Sequence, residues 1–306
     1  MPTSREDIVA AYRWILGRDP RSAEEIDRLL SDHPTRGALR RFLLATKASL
    51  HEHLKSRFGA EKWVLAEVFD GLRLWLNLCD RHVSMGGLVG SWEVGETRFM
   101  RSVLAPGQVV VDVGANIGWF TLTAAQCVGP TGRVHAFEPQ ARIFRYLART
   151  IADNDLLGRV LPYEMALSDR WGSVEMAWNP NSANMGHAWL AAEPPPGGSL
   201  GEVRTGVLDD ILGATKVDFI KLDTEGAEAL VLAGAARILR ASRPIVMLEI
   251  LPAYLERVSG VDPEAVFALF RGLGYGAFAI GDDGLGEAVA AWPADAKEMN
   301  LAFLPR

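Results

Sequence analysis

The chain has 306 residues, is 49% apolar and carries a formal charge of −6. That size suits one large domain plus a smaller appendage, and the charge gives no attraction to a phosphate backbone, which argues against a nucleic-acid partner. There is no run of about 18 apolar residues to span a membrane. The opening MPTSREDIVAAYRW has no signal-peptide core, and Cys79 and Cys127 read as reduced core thiols, so a cytoplasmic location is expected.

Residues 1–58 read as helical. Ile8, Val9, Tyr12, Ile15 and Leu16 recur at helical spacing, Thr3 or Ser4 supplies a cap, and a longer helix is predicted from Arg36 to Arg57. His51 and His53 stand two apart and face different ways on a helix, which makes no metal pair. This section is either a packing cap or a partner-binding module. Residues 61–90 predict a hairpin, with strands at 62–68 and 72–78 around the favoured turn pair Asp70-Gly71. A helix over 95–104 ends before Pro106-Gly107.

From residue 108 strands and helices alternate, which implies a mainly parallel sheet covered on both faces. Its first strand, 109–113, runs into the turn of VVVDVGANIGWFT. The β-branched run suits a central buried strand, and Gly114 and Gly118 permit a sharp turn and a close backbone approach. A dinucleotide site needs a second glycine where Asn116 stands, so a pyrophosphate is poorly served. Asp112, two residues before Gly114, suits a ligand with a cationic amino-acid portion, such as S-adenosylmethionine. After a helix near 117–128, the strand in RVHAFEP ends at Glu138, an acid placed to accept both hydroxyls of a ribose. Pro139 is expected in the first turn of the next helix.

A strand follows at 160–166. The stretch 178–201, WNPNSANMGHAWLAAEPPPGGSLG, reads as a long loop, a lid rather than a tether, with Asn181, Asn184, His187 and Trp189 suited to a sugar. The next strand, 217–222, leads into the acidic bend of VDFIKLDTEGAE. Asp223, Thr224 and Glu225 fall beside the Gly114 turn, where open α/β sheets bind ligands. Asp223 and Glu225 there are either solvated helix-start residues or reactive groups, and Glu228 is open between the same roles. Glu249 closes the strand at 245–250. Asp223, Glu225 and Glu249 are also the one set suited to a divalent cation, though without a spacing signature for one. Asp262 and Pro263 start a helix over 263–273, and strands at 275–280 and 299–304 complete the pattern.

DVGANIGWFT at 112–121, AFEP at 136–139, ALSD at 166–169, KLDTEGAE at 221–228, RPIVMLEI at 243–250 and NLAFLP at 300–305 together resemble the FkbM family of S-adenosylmethionine-dependent methyltransferases. The resemblance implies a class I methyltransferase, Rossmann-like α/β fold: a seven-stranded, mainly parallel sheet whose last strand is antiparallel. The resemblance runs from about Gly90 to Pro305, and the chain as a whole is read as a helical N-terminal section, 1–58, and a methyltransferase domain, 59–306. The resemblance implies S-adenosylmethionine as cofactor and O-methylation of a hydroxyl on a sugar, glycan or polyketide-type product. The cofactor-facing positions so implied are Glu93, Asp112, Gly114, Ala115, Asn116, Gly118, Glu138, Ala166, Leu167, Ser168 and Asp223. Glu138 would hold the ribose, and 166–168 would lie by the adenine.

Transfer from a sulfonium needs alignment and removal of the acceptor's proton rather than a metal. Asp223 is the candidate base, with Glu225 or Glu249 orienting the acceptor and His187 as rival base. No metal site is predicted, a divalent cation being only an alternative, and a homodimer is left open. Two competing functions are a nicotinamide-dependent oxidoreductase and a non-catalytic scaffold. The first is opposed by Asn116, the second by the intact cofactor turn and acidic bend.

Overall fold

The computed structural model of the chain describes residues 2–13, 19–36, 38–39, 62–69, 71–80, 82–89, 92–178, 188–190 and 198–306. Helix α1 (Arg5–Ala11) starts at a reciprocal cap, in which Ser4 Oγ accepts from Asp7 N–H and the Asp7 carboxylate accepts from Ser4 N–H. Helix α2 (Ala23–Asp32) starts at Ser22, whose Oγ accepts from Glu25 N–H, while the Glu25 carboxylate accepts from Arg21 N–H. Most of the helix predicted from Arg36 to Arg57, with His51 and His53, lies outside the described residues.

The predicted hairpin forms as β1 (Trp63–Phe69) and β2 (Leu72–Asn77), with Gly71 at φ +84° in the turn. It packs on the helix Ala141–Asp153. Trp63 stacks on Tyr146 at 3.5 Å, and Trp75 Nε1 donates to Asp153 at 2.7 Å. Helices α3 (Val83–Val89) and α4 (Val94–Val103) then lead to the main sheet.

That sheet uses β3 (Val109–Val113), β4 (Arg133–Phe137), β5 (Val160–Tyr163), β10 (Phe219–Leu222), β11 (Ile245–Ile250), β12 (Tyr275–Gly281), β13 (Gly284–Ala288) and β14 (Met299–Pro305). Its order is β13-β12-β14-β11-β10-β3-β4-β5. Strands β5, β4, β3, β10 and β11 are parallel, and β14 runs antiparallel between β11 and β12. This is the class I methyltransferase fold, but with eight strands, not the expected seven. The extra strand, β13, forms a hairpin with β12 and exposes every residue after Gly284, so it carries no alternating apolar pattern to read.

Two further differences concern the region between β5 and β10. The strand expected at 160–166 divides: β5 stays in the main sheet, and β6 (Ala166–Leu167) begins a second, four-stranded sheet. That sheet also holds β7 (Gly172–Trp178), β8 (Ala188–Leu190) and β9 (Ser199–Gly206), so 188–190 and 199–201 are strand where one long loop was expected. Helix α5 (Trp119–Val128) follows β3, and α6 (Ala141–Asp153) follows β4. Pro139 is not in the first turn of α6. Gln140 is the cap, because its N–H is drawn back to the Glu138 carboxylate and residues 138–140 form their own turn.

Both faces of the main sheet are covered. α5 and α6 pack on one, with Val110, Leu122, Ala124, Leu147 and Phe219 in the core; on the other, Val111, Ile220, Leu232, Phe267 and Phe303 form a second core. No described helix is long and apolar enough to cross a membrane. Neither Cys79 nor Cys127 forms a disulfide among the described residues. Strand order reverses between β3 and β10, so the crevice at their carboxyl ends is the place for a ligand.

Candidate active site

The turn after β3 is folded against its two neighbours. Gly114 and Ala115 N–H both donate to the Phe137 carbonyl, at 3.0 and 2.9 Å. Gly114 adopts φ +77°, and a Cβ there would sit 1.9 Å from the Asp223 carbonyl oxygen. Only glycine satisfies both conditions. Asn116 is also left-handed, at φ 51°, a conformation asparagine tolerates better than most residues. Its side chain accepts from Ile117 N–H at 2.8 Å, and its own N–H donates to Glu138 at 2.9 Å.

Glu138 closes β4 and is only 4% exposed. One carboxylate oxygen accepts from Asn116 N–H and the other from Gln140 N–H, both at 2.9 Å. Burial nevertheless pushes its pKa up to about 7, against those two hydrogen bonds.

Beneath the turn lies a buried charge cluster. Lys221, in the middle of β10, donates to Asp223 Oδ2 at 3.0 Å and to the Gly114 carbonyl at 3.4 Å, and its ammonium lies 5.0 Å from the Phe120 ring centre. Burial works against its charged form, but Asp223, Asp112 and Glu93 together raise its pKa. Asp112 pairs in register with Lys221 across the β3–β10 ladder and accepts from Thr121 Oγ1 at 2.6 Å. Its other oxygen has no hydrogen-bond partner among the described residues. Desolvation raises its pKa, with Lys221 opposing.

The bend after β10 carries Asp223, Thr224 and Glu225, the last at φ 53°. Glu228 accepts from Thr224 N–H, Thr224 Oγ1 and Gly226 N–H at 3.0, 2.9 and 3.2 Å. Glu228 therefore fixes the bend and does not line the cavity. Glu225 is pushed up to about 8 by burial and then by Asp223 and Glu228; Glu249 reaches about 8 through burial, Asp223 and Glu225. Burial and then Asp223 raise Glu93 well above the usual carboxyl range.

A cavity of about 500 Å³ joins these groups. That is within the range of small-molecule sites, roughly 300–1,000 Å³. Of the residues singled out in the sequence, Glu93, Gly114, Asn116, Glu138, Ala166, Leu167, Ser168, Asp223, Glu225 and Glu249 line it. Asp112, Ala115 and Gly118 do not: they are buried behind its wall. His187, Asn181 and Asn184 lie outside the described residues, as does the side chain of Trp189. Met165, Val174, Met176, Ala188 and Thr205, mostly from the small sheet, add a wall the sequence reading did not anticipate. His82, Trp92, Gln140, Tyr254 and Glu298 were missed as well, being set there by loops and helix starts with no local pattern. Lys221 had a signal, as a lone lysine in the apolar strand FIKL. Among the described residues no group of three or more His, Cys, Asp or Glu is arranged to hold a metal.

The raised carboxyls make stability depend on pH. Glu249 holds a proton in the folded state up to about pH 8, whereas an unfolded glutamate releases it near 4.3. Its contribution is therefore full below that lower value and is lost as pH rises to about 8. Glu249→Gln is expected to stabilise the protein at pH 8.5 relative to pH 5, by on the order of 1 kcal/mol after allowance for its partial exposure. Denaturant melts at the two pH values check this, and an equal effect at both would contradict it.

A family model described as the methyltransferase FkbM domain matches residues 112–276, over half of the chain. The 31-O-demethyl-FK506 methyltransferase FkbM of Streptomyces tacrolimicus is 33% identical over 43% of this chain and 60% of its own. Methyltransferase sdnD of Sordaria araneosa is 30% identical over 41% of this chain and 59% of its own. The chain thus spans about 60% of the length of these curated relatives. A solved Methyltransferase FkbM from Methylobacillus flagellatus KT has a TM-score of 0.42 at 17% identity, over 72% of this chain and 52% of that one. The M. jannaschii TYW2 structure in complex with AdoMet has a TM-score of 0.43 at 14% identity, over 80% and 86%. Strand order, not these distant likenesses, identifies the fold.

Proposed function

This chain belongs to the FkbM methyltransferase family, and on that premise we propose that it is an S-adenosylmethionine-dependent O-methyltransferase acting on a hydroxyl of a sugar, glycan or polyketide-type product. The observation that carries this reading is Glu138. Each of its oxygens gives one acceptor position to a backbone N–H. The lone pairs that remain suit the two neighbouring hydroxyls of a ribose.

The rest of the cavity is consistent with that ligand. Gly114 and Asn116, with Glu93 opposite, would border the methionine portion, and Ala166, Leu167 and Ser168, with Met165 and Met176, would border the adenine. Asp112, Ala115 and Gly118 would act from behind, by shaping the turn. When bound, S-adenosylmethionine supplies a methyl group on a sulfonium, which departs as a neutral thioether. The protein's own tasks are then to align the acceptor oxygen and to take its proton. Asp223 is the proposed base, its carboxylate held from below by Lys221. Glu225 and Glu249, which line the same cavity, would orient the acceptor through hydrogen bonds to its hydroxyls.

Charge narrows the acceptor. No lysine or arginine among the described residues lines the cavity. A phosphate on the reacting end would meet the carboxyl groups Asp223, Glu225 and Glu249 with no described lysine or arginine to pair it, so a neutral hydroxyl is favoured. The test uses methyl-labelled cofactor with a panel of methyl glycosides, their phosphates and polyketide alcohols, read by mass spectrometry. Label in an O-methyl ether on an uncharged member is expected. Label only on nitrogen, carbon or the phosphorylated members would overturn the proposal.

A further inference from the structure

Among the described residues, the acidic side of the cavity gathers five carboxyl side chains and is lined by no lysine or arginine. Glu93, Asp223, Glu225, Glu249 and Glu298 line it together, from the start of α4, the bend after β10, the end of β11 and the approach to β14. The other charged groups among the described residues reach them from behind or from the side. Lys221 is 5% exposed beneath Asp223 and does not line the cavity. Asp112 lies under Lys221, Glu96 influences Glu93, and Glu228 and Arg257 influence Glu225. His82 is the one basic side chain among the described lining residues, and Glu138 faces the cavity as well. Carboxyls gathered in one half-enclosed space that no described lysine or arginine lines resist full ionisation, and Glu93, Glu225 and Glu249 are held toward the protonated form. A cation that enters displaces those protons; a neutral ligand of the same shape does not.

We propose that this cavity selects its ligand by charge: it binds the sulfonium nucleoside with release of protons from Glu93, Glu225 and Glu249, and it holds the neutral thioether counterpart less tightly as pH rises. The inference rests on the reading that the cavity takes S-adenosylmethionine. S-adenosylmethionine and S-adenosylhomocysteine differ only by a methyl group and its charge, so the pair isolates the effect. The consequence for turnover is that the spent nucleoside is expelled because it can no longer balance the carboxylates.

The test is titration calorimetry of the full chain with each nucleoside between pH 6 and 7.5, in phosphate and in Tris. The two buffers differ in ionisation enthalpy, so the heats report protons released. S-adenosylmethionine is expected to release about 0.5–1 proton more than S-adenosylhomocysteine, so linkage makes the affinity ratio grow roughly three- to tenfold per pH unit. The double variant Glu225→Gln with Glu249→Gln should lose most of that release and flatten the ratio. Should that variant not fold, the wild-type pair of ligands still decides. Equal proton release by both nucleosides, or a ratio independent of pH, would overturn charge selection alone. No binding of either nucleoside would overturn the methyltransferase reading and this inference together.

Discussion

Asp223→Asn is expected to reduce turnover by about 10²–10⁴-fold, the usual contribution of a positioned base. The affinity for S-adenosylmethionine should change little by comparison. The substitution is nearly isosteric. The amide oxygen can still accept from Lys221, and the main-chain oxygen that packs against Gly114 is untouched. The turn that borders the cofactor therefore keeps its shape, while the group that takes the acceptor's proton is lost. A fall in turnover with unchanged cofactor binding separates catalysis from positioning of the ligand. Turnover retained in this variant would remove Asp223 from the role of base and leave it to the rival, His187.

Glu138→Ala carries the second large effect. It removes the proposed ribose acceptor and leaves the N–H groups of Asn116 and Gln140 without their present partner. A hydrogen bond to a charged group contributes about 1.5–3 kcal/mol, so losing one or two should weaken S-adenosylmethionine binding by at least roughly tenfold. The thermal midpoint should fall too, because the carboxylate also holds the turns at 114–118 and 138–140 together. Loss of stability with cofactor affinity preserved would make Glu138 a turn residue only and would remove the ribose assignment.

Much of this architecture was legible because its signals are local. Val109–Val113 is a β-branched run buried on both faces, and the Asp262-Pro263 pair starts its helix as read, with Asp262 accepting from Ala265 N–H. The acids at strand ends, Glu138 and Glu249, fall in the crevice because a parallel strand delivers its carboxyl end there. The small sheet over 166–206 was not legible. β6 has two residues and β8 three, too short for a period to show, and β7 begins with two exposed residues. Asp112 shows a different limit. Spacing placed it beside the turn, but only the β3–β10 register shows it turned inward to Lys221 and Thr121 rather than toward the cavity. Lys221 is the converse case, a charge inside an apolar strand whose partners come from three separate segments.

The most direct test of the account is a crystal structure grown with S-adenosylmethionine and, in parallel, with nicotinamide adenine dinucleotide. The account predicts the sulfonium nucleoside over the Gly114–Gly118 turn, with its ribose hydroxyls on Glu138 and its sulfur facing Asp223. An empty cavity in the first crystal, or an ordered dinucleotide with its pyrophosphate on that turn in the second, would contradict it.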